Sequence, residues 1–318
     1  MAQQSNSTNS SSLDQLFETY GFCEAQIRSF HIIKAAKNLP SMEMKRWIAD
    51  LEDEEILWAV AVATHGMPTN PTESELKAFD KAIEQRVRRL EEAERTYGWF
   101  SLKWTPAVMR RLIINWFCGM LVIDPELRTK EGSPIQFVHE FYGEESEYPE
   151  HQGQSEEWKK ESIDLYVLMA RSTCLAYPAA TTKGIVSFSD MQDFDWDKYD
   201  MESKSRNSDI SSLVPNKLAR MITFHPDKKM RGFYNDMGKR MRKKFGFVMY
   251  EDYQSAKVEE GDLLPEELPT FVGGTRRVDI LECLKYLFRR EPEALALCVD
   301  THASMVASGE LPKPKHME

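Results

Sequence analysis

Three aspartates alternate with aromatic residues in the middle of the chain, a spacing that some metal sites use. The motif is Asp193-x-Asp195-x-Asp197. A calcium loop that starts at Asp193 needs Gly at its sixth position and Glu at its twelfth, but Lys198 and Lys204 stand there. A magnesium site of a transferase stays open as a hypothesis, because the motif follows the end of a predicted strand, where open α/β sheets bind ligands. An acidic surface loop is the simpler interpretation.

Motifs that bind nucleotides or supply a catalytic nucleophile are absent from the sequence. It contains no P-loop, no Gly-x-Gly-x-x-Gly, no Gly-x-Ser-x-Gly and no His-Glu-x-x-His. His139 and His225 fall in predicted strands and could face one pocket, but a single strand histidine is more often a hydrogen-bonded structural group. We therefore predict that the protein is not an enzyme and uses no cofactor and no metal.

A basic amphipathic helix is predicted from residue 226 to residue 245. Pro226 suits the first helical turn, and Asp227 complements the positive end of the helix dipole. At about 3.6 residues per turn, one side of this helix is apolar and the other side is basic. The apolar stripe contains Met230, Phe233, Tyr234, Met237 and Met241, and the basic side contains Lys228, Lys229, Arg231, Lys239, Arg240, Arg242 and Lys243.

This basic helix has three interpretations. The first is ordinary core packing, of which amphipathic periodicity is the usual mark. The second is a lid that also contacts a membrane, because thioethers adapt to variable apolar partners and each Lys or Arg near an anionic leaflet contributes about 1 kcal/mol. The third is a nucleic-acid or nuclear-import patch at residues 240–244, which ranks last because stacking features are missing around it.

The composition allows a sizeable core, since 42% of the 318 residues are hydrophobic, and the net charge of −10 disfavours indiscriminate binding to phosphate polymers. The longest nearly apolar run, 112–123, is interrupted by Asn115 and is shorter than the roughly 20 residues that span a bilayer. Five cysteines without a Cys-x-x-Cys pair indicate reduced thiols. Residues 1–12 lack the features of a secretory signal and are predicted to be a disordered tail.

Helical periodicity dominates the first part of the chain. Helices are predicted over 13–39, 42–64 and 72–97, and a further helix is predicted to start at 105–106. Thr72 and Glu75 have the spacing of a capping box. We therefore predict that residues 13–131 form a helical region.

The periodicity changes at residue 132. Strands are predicted over 135–142, 184–188, 220–225 and 245–250. Two helices separate them, the long one at 155–177 and the basic one at 226–245. Strands that alternate with crossover helices predict an α/β fold with a mostly parallel sheet and right-handed connections.

From about residue 132 to residue 288, the order of these segments resembles the CRAL-TRIO or Sec14-like lipid-binding domain. Phe188-Ser189-Asp190 is similar to the family's strand that ends in an Asp-rich turn. Val214-Pro215-Asn216-Lys217-Leu218 is similar to its Tyr-Pro-Glu-Arg-Leu element. The stretch from Leu268-Pro269 to Gly273-Gly274-Thr275 is similar to the Leu-Pro-x-x-x-Gly-Gly signature that closes the domain.

The resemblance implies an α/β sandwich with an apolar pocket between the sheet and a mobile gate helix. The basic helix occupies the place of that gate, and Lys244 matches the strand lysine of members that bind phosphatidylinositol, whereas Asn216 stands where those members have Glu. The implied lipid contacts are Phe137, Phe188 and Ile222 on the pocket floor, Met230, Phe233, Met237 and Met241 on the gate, and Lys244 at the start of the strand after the gate. The implied membrane contacts are Lys239, Arg240, Arg242 and Lys243.

The sequence therefore predicts a protein that binds a lipid or other apolar molecule and transfers or presents it at membranes. The alternative is a lipid-sensing or scaffold module that docks through the basic helix at 227–244 without transfer. We expect a cytoplasmic monomer that associates transiently with anionic membrane surfaces and has no nucleic-acid partner. The predicted regions are the tail at 1–12, the helical region at 13–131, the lipid-binding domain at 132–290 and a C-terminal extension at 291–318.

Overall fold

A computed structural model describes the chain as two compact units, residues 1–92 and residues 93–318. The described residues are 12–19, 21–34, 53, 56, 57, 60, 70–77, 92–99, 101–117, 121–130, 132–139, 155–177, 179–182, 184–191, 218–236, 246–251, 268–270 and 275–311. Among the helices in these ranges, none combines the length and the apolarity that crossing a bilayer requires.

The first unit is helical in its described part. Helix α1 spans Ser12–Thr19 and helix α2 spans Glu24–Lys34, so the prediction of one continuous helix at 13–39 is wrong. Gly21 has a φ of +62°, and the N–H of Phe22 donates to the carbonyl of Phe17 at 3.0 Å. A positive φ suits glycine and ends a helix. Phe17 then packs edge-on against Phe30, with the ring centroids 5.1 Å apart.

The predicted capping box at Thr72 is confirmed. The Glu75 carboxylate accepts from the Thr72 N–H at 2.7 Å, and the Thr72 hydroxyl accepts from the Glu75 N–H at 3.3 Å. The hydrogen bonds from Thr72 lower the pKa of Glu75. Helix follows at 73–77 and again at 92–97, while residues 78–91 of the predicted helix lie outside the described ranges.

The second unit contains a sheet of strands β1 to β5, which lie side by side in chain order. They span Val122–Arg128, Pro134–His139, Ile185–Asp190, Leu218–Phe224 and Phe247–Tyr250. β1 pairs antiparallel with β2, and the other three pairings are parallel. The predicted α/β fold with a mostly parallel sheet is therefore confirmed.

Strand β1 corrects the prediction that residues 13–131 are all helical. Helix α3 spans Pro106–Phe117, and the apolar run continues past it to Ile123. An apolar run alone does not distinguish a buried helix from a buried strand. Pro125 lies within β1 where its register against β2 shifts, as proline does in edge strands and bulges.

Helices connect the strands and cover the sheet. Helix α4, Glu156–Ala176, joins β2 to β3, followed by the short α5, Ala179–Thr182. Helix α6, Lys228–Asp236, joins β4 to β5, and helices α7, Ile280–Leu287, and α8, Pro292–Ser308, follow the sheet. The Asp279 carboxylate caps α7 by accepting from the Glu282 N–H at 3.1 Å.

One large core holds the second unit together. Side chains of α3, α4, α7 and α8 pack there with side chains of β1 to β5. Ala294, Cys298 and Met305 of α8 are buried in this core, so the segment predicted as a C-terminal extension contributes to the α/β unit. The borders predicted at residues 131 and 290 stay predictions, but β1 and α8 belong to the same compact unit as the sheet.

Candidate functional site

Helix α6 begins where the sequence predicted. The Asp227 carboxylate accepts from the Met230 N–H at 2.6 Å, and the Asp227 carbonyl accepts from the Arg231 N–H at 3.0 Å. The side chain therefore satisfies one of the first N–H groups, which have no partner inside a helix. Asp227 fixes the point at which the chain leaves the sheet and enters α6.

The described part of α6 is amphipathic. Met230 is buried and Tyr234 is half-buried, whereas Lys228 and Lys229 are exposed. Arg231 pairs with Glu251, and this hydrogen bond raises the pKa of Arg231. Apolar contact with the sheet and cationic contact with solvent therefore fall on different sides of one short helix.

The face of the sheet that α6 contacts is defined by Met221, Phe247 and Met249, and we call it the α6 face. Together with Met191, Met230 and Tyr234 these residues form an apolar cluster, the α6 cluster, that is separate from the large core. The rings of Tyr234 and Phe247 lie 5.4 Å apart. Methionine is flexible and polarisable, so a cluster of this composition can repack around different apolar partners.

The predicted pocket floor lies on the other face of the sheet. Phe137 pairs in register with Phe188, and Phe188 pairs with Ile222. Laterally paired residues share a face, and consecutive residues alternate between faces. Since Ile222 is consecutive with Met221, all three predicted floor residues point away from α6, into the large core.

Rings line this opposite face from strand to strand. The centroids of Phe137 and Phe188 are 5.6 Å apart, those of Phe188 and Phe224 are 5.9 Å apart, and those of Phe224 and Tyr250 are 6.2 Å apart. Phe137 is fully buried and Phe188 is 6% exposed. The structure therefore does not bring the predicted floor together with the predicted gate residue Met230, and it gives these aromatic residues a packing role.

The α6 face also carries hydroxyl groups that the sequence prediction overlooked. Ser187 pairs with Met221, and Ser189 pairs with Thr223. All three hydroxyl residues are buried. Among the described residues, no hydrogen-bond partner reaches the Thr223 hydroxyl. The signal in the sequence was the alternation of Ser187 and Ser189 with Val186 and Phe188, which marks a strand with one more polar face.

His225 lies in the turn between β4 and α6. Strand β4 ends at Phe224, so the prediction that His225 is a strand residue is wrong. His225 has a φ of +49°, which is uncommon for a residue other than glycine. Its Nδ1 lies 2.9 Å from Oδ1 of Asp190, whose side chain is 4% exposed. This contact joins the start of α6 to the carboxyl end of β3.

The remaining predicted site residues are not placed by the structure. The side chain of Phe233 and residues 237–245 lie outside the described part of the chain, and so do the aspartates at 193, 195 and 197. Within the described ranges, no group of three or more His, Cys, Asp or Glu side chains is placed to hold a metal ion.

The fold and the site define an α/β protein with a short basic helix over one face of a mostly parallel, five-stranded sheet. No protein-family model and no curated protein matches the sequence. Among solved structures, one titled "Crystal structure of Sfh5" is similar over 88% of this chain and 98% of that chain, with 12% sequence identity and a TM-score of 0.41.

Proposed function

We propose that this chain binds a lipid or another apolar molecule between α6 and the α6 face, and that it transfers or presents this ligand at membranes. One observation carries the proposal: α6 packs on the sheet through a small, methionine-rich cluster that is separate from the large core. The order of strands and helices supports it as well, because it agrees with the Sec14-like order inferred from the sequence.

The energetics of this contact suit a helix that opens. Burial of a side chain such as Met230 contributes about 1.5–3 kcal/mol, so the described part of α6 is held by few such contributions. A buried acyl chain gains about 0.8 kcal/mol for each CH₂ group. A bound lipid therefore replaces the contacts that α6 loses when it moves, and no covalent chemistry is required.

The corrected pocket floor is the α6 face. Met221, Phe247 and Met249 would contact the apolar part of the ligand, and the hydroxyl of Thr223 would contact a polar group of it. Met230, Phe233, Met237 and Met241 keep their proposed place on the gate. The phosphatidylinositol headgroup contact of Lys244 remains part of the proposal.

The basic side of the helix would face the membrane. Lys228 and Lys229 are exposed at the start of α6, and Lys239, Arg240, Arg242 and Lys243 continue the charge in the sequence. Each cation near an anionic leaflet contributes about 1 kcal/mol. This supports transient, peripheral association from the cytoplasmic side, by a protein that we propose to be a monomer without a nucleic-acid partner.

Native mass spectrometry of the purified protein, followed by extraction and identification of lipids, tests ligand binding. We expect one apolar ligand per chain, and we expect Met230→Asp to lose it because the carboxylate would be placed in the α6 cluster. Val306→Asp is the matched control, since Val306 is 54% exposed. An empty protein that also takes up no labelled lipid from anionic vesicles would contradict the proposal.

A second function remains for a protein that proves empty. Met230 and Phe247 are both buried members of the α6 cluster, which favours a closed face and a scaffold that docks through residues 227–244. In that case Lys228→Glu with Lys229→Glu would weaken binding to anionic vesicles, and Met230→Asp would leave this binding unchanged. Vesicle co-sedimentation of the two variants distinguishes docking from transfer.

A further inference from the structure

Two arginines of the second unit share one tyrosine ring. Arg128 ends β1, and its guanidinium carbon lies 5.0 Å from the ring centroid of Tyr177. Arg289 follows α7, and its guanidinium carbon lies 6.0 Å from the same centroid and 3.7 Å from that of Tyr286. Tyr177 and Tyr286 are themselves in ring contact, 5.4 Å apart. The ends of β1, α4 and α7 thus converge on one cationic and aromatic group.

Neither guanidinium contacts a carboxylate within the described part of the chain. Arg128 donates to the main-chain carbonyls of Asp124 and Leu127. Arg289 donates to the carbonyls of Ala176 and Tyr286, in the last turns of α4 and α7. Both bonds that Arg128 donates come from one terminal nitrogen. The N–H groups of its other two nitrogens are therefore free of intramolecular bonds to described residues.

The surroundings of Arg289 disfavour its positive charge. Partial desolvation of the Arg289 guanidinium beside the two tyrosine rings lowers the pKa of Arg289, and the neighbouring charges of Arg290 and Arg128 lower it further, against the opposite effect of the two tyrosines. The protein as a whole is acidic, with a net charge of −10, and four of its other described arginines, at 111, 171, 231 and 276, pair with carboxylates. Arg128 and Arg289 donate to main-chain carbonyls instead.

We propose that Arg128 and Arg289 form a binding site for a phosphate monoester, held beside Tyr177 and Tyr286. Guanidinium groups bind phosphate oxygens through paired, charge-assisted hydrogen bonds. Arg289 is exposed and Arg128 is half-buried, so a ligand reaches the site from solvent. The site lies outside the α6 cluster, and the proposal does not depend on the proposed lipid function.

A phosphate monoester could belong to a soluble metabolite or to a lipid headgroup, and the test uses one probe of each kind. Glycerol 3-phosphate is titrated by calorimetry, and vesicles of phosphatidylcholine with and without phosphatidic acid are tested by co-sedimentation. Each of Arg128→Gln and Arg289→Gln should weaken binding about tenfold, since a hydrogen bond to a charged group contributes that factor or more. Arg289→Lys should recover only part of the affinity, because it keeps the charge and loses the paired donors.

Arg277→Gln is the matched control, because Arg277 is exposed and its removal changes the net charge equally. Both arginines also donate to main-chain carbonyls, so each variant is scored by the rise in melting temperature that the probe produces, which a purely structural role would not change. Binding of glycerol 3-phosphate, with or without the vesicles, shows that the site takes a soluble phosphate monoester, and binding of the phosphatidic acid vesicles alone indicates a lipid headgroup. The proposal is overturned if neither probe binds, or if both Gln variants bind as Arg277→Gln does.

Discussion

The carboxylate of Asp124 is buried in β1 and is held by one guanidinium. Its Oδ2 accepts from Nε of Arg276 at 2.8 Å, and its Oδ1 accepts from the Glu126 N–H at 2.8 Å. Arg276 also contacts Glu126. The main chain at Arg276 bonds to Leu268 and Thr270, so this side chain ties the segment after the sheet to β1.

Replacement of Arg276 by Gln should destabilise the protein by about 3 kcal/mol, because a buried ion left without its partner costs about that amount. The side chain of Asp124 is 4% exposed and that of Arg276 is 28% exposed, so solvent compensates the carboxylate poorly. Urea unfolding measures the change. Arg277→Gln should change the free energy of unfolding by less than about 0.5 kcal/mol, and an equal change in the two variants would exclude the proposed role of the Asp124–Arg276 pair.

Single residues also show what the sequence could and could not predict about the site. The capping box at Thr72 and the favourable charge of Asp227 at the start of α6 were recognised because both depend on neighbours that are close in sequence. The orientation of Phe188 was not, because β3 is buried along its whole length and the hydrophobic pattern alone then does not identify which face meets α6. Similarly, Arg128 and Arg289 are far apart in sequence, and only the fold brings them to Tyr177.

At the scale of elements, Gly246 and Gly232 differ in the space that surrounds them. Gly246 precedes β5 with a φ of +53°, and a Cβ atom there would lie 2.9 Å from the carbonyl oxygen of Ala219 in β4. Gly232 lies inside α6, and a Cβ atom there would meet no atom within 4 Å. The first glycine permits the close approach of two strands, and the second only weakens a helix.

Gly246→Ala should therefore destabilise the protein by at least about 1–2 kcal/mol, since it adds left-handed strain to a steric clash. Gly232→Ala should stabilise it by up to about 1 kcal/mol. Both values are measured by urea unfolding under the same conditions. The same sign of change in the two variants would show that the paths of β4, α6 and β5 differ from those described.

Elements with their own signals were predicted well. β2, β3, β4 and β5 appear within a few residues of their predicted bounds, because turn residues and changes of period mark their ends. β1 was missed because its apolar start at Val122 continues the apolar run of α3. Its identity as a strand depends on pairing with β2, which is a tertiary interaction that local propensity does not encode.

At the scale of the whole molecule, the large core makes stability depend on pH at the alkaline side. Cys283 of α7 and Cys298 of α8 are buried in it, and burial raises the pKa of each thiol to about 12. In the unfolded chain these thiols titrate near their ordinary value of 9. The folded protein therefore keeps two protons that the unfolded chain releases, so stability is full below pH 9 and falls as the pH rises towards 12.

Each thiol should account for a loss of about 1 kcal/mol in the free energy of unfolding between pH 9 and pH 10. The variant with Cys283→Ala and Cys298→Ala should be less stable at pH 7 but should lose about 2 kcal/mol less across this interval than the wild type. Cys23→Ala serves as the control, because Cys23 is half-buried and lies directly before α2. An unchanged pH slope in the double variant would show that these thiols are not the cause.

The strand order has a consequence for synthesis on the ribosome. Because β1 to β5 lie side by side in chain order, each new strand can add to the edge left by the one before it, and none has to insert between two others. The apolar face that carries Phe137 and Phe188 nevertheless stays uncovered by α7 and α8 until these last helices emerge. Premature termination before residue 280 would therefore release a paired sheet whose core lacks the side chains of α7 and α8, and a species with such an incompletely covered apolar surface is prone to aggregation and dependent on chaperones.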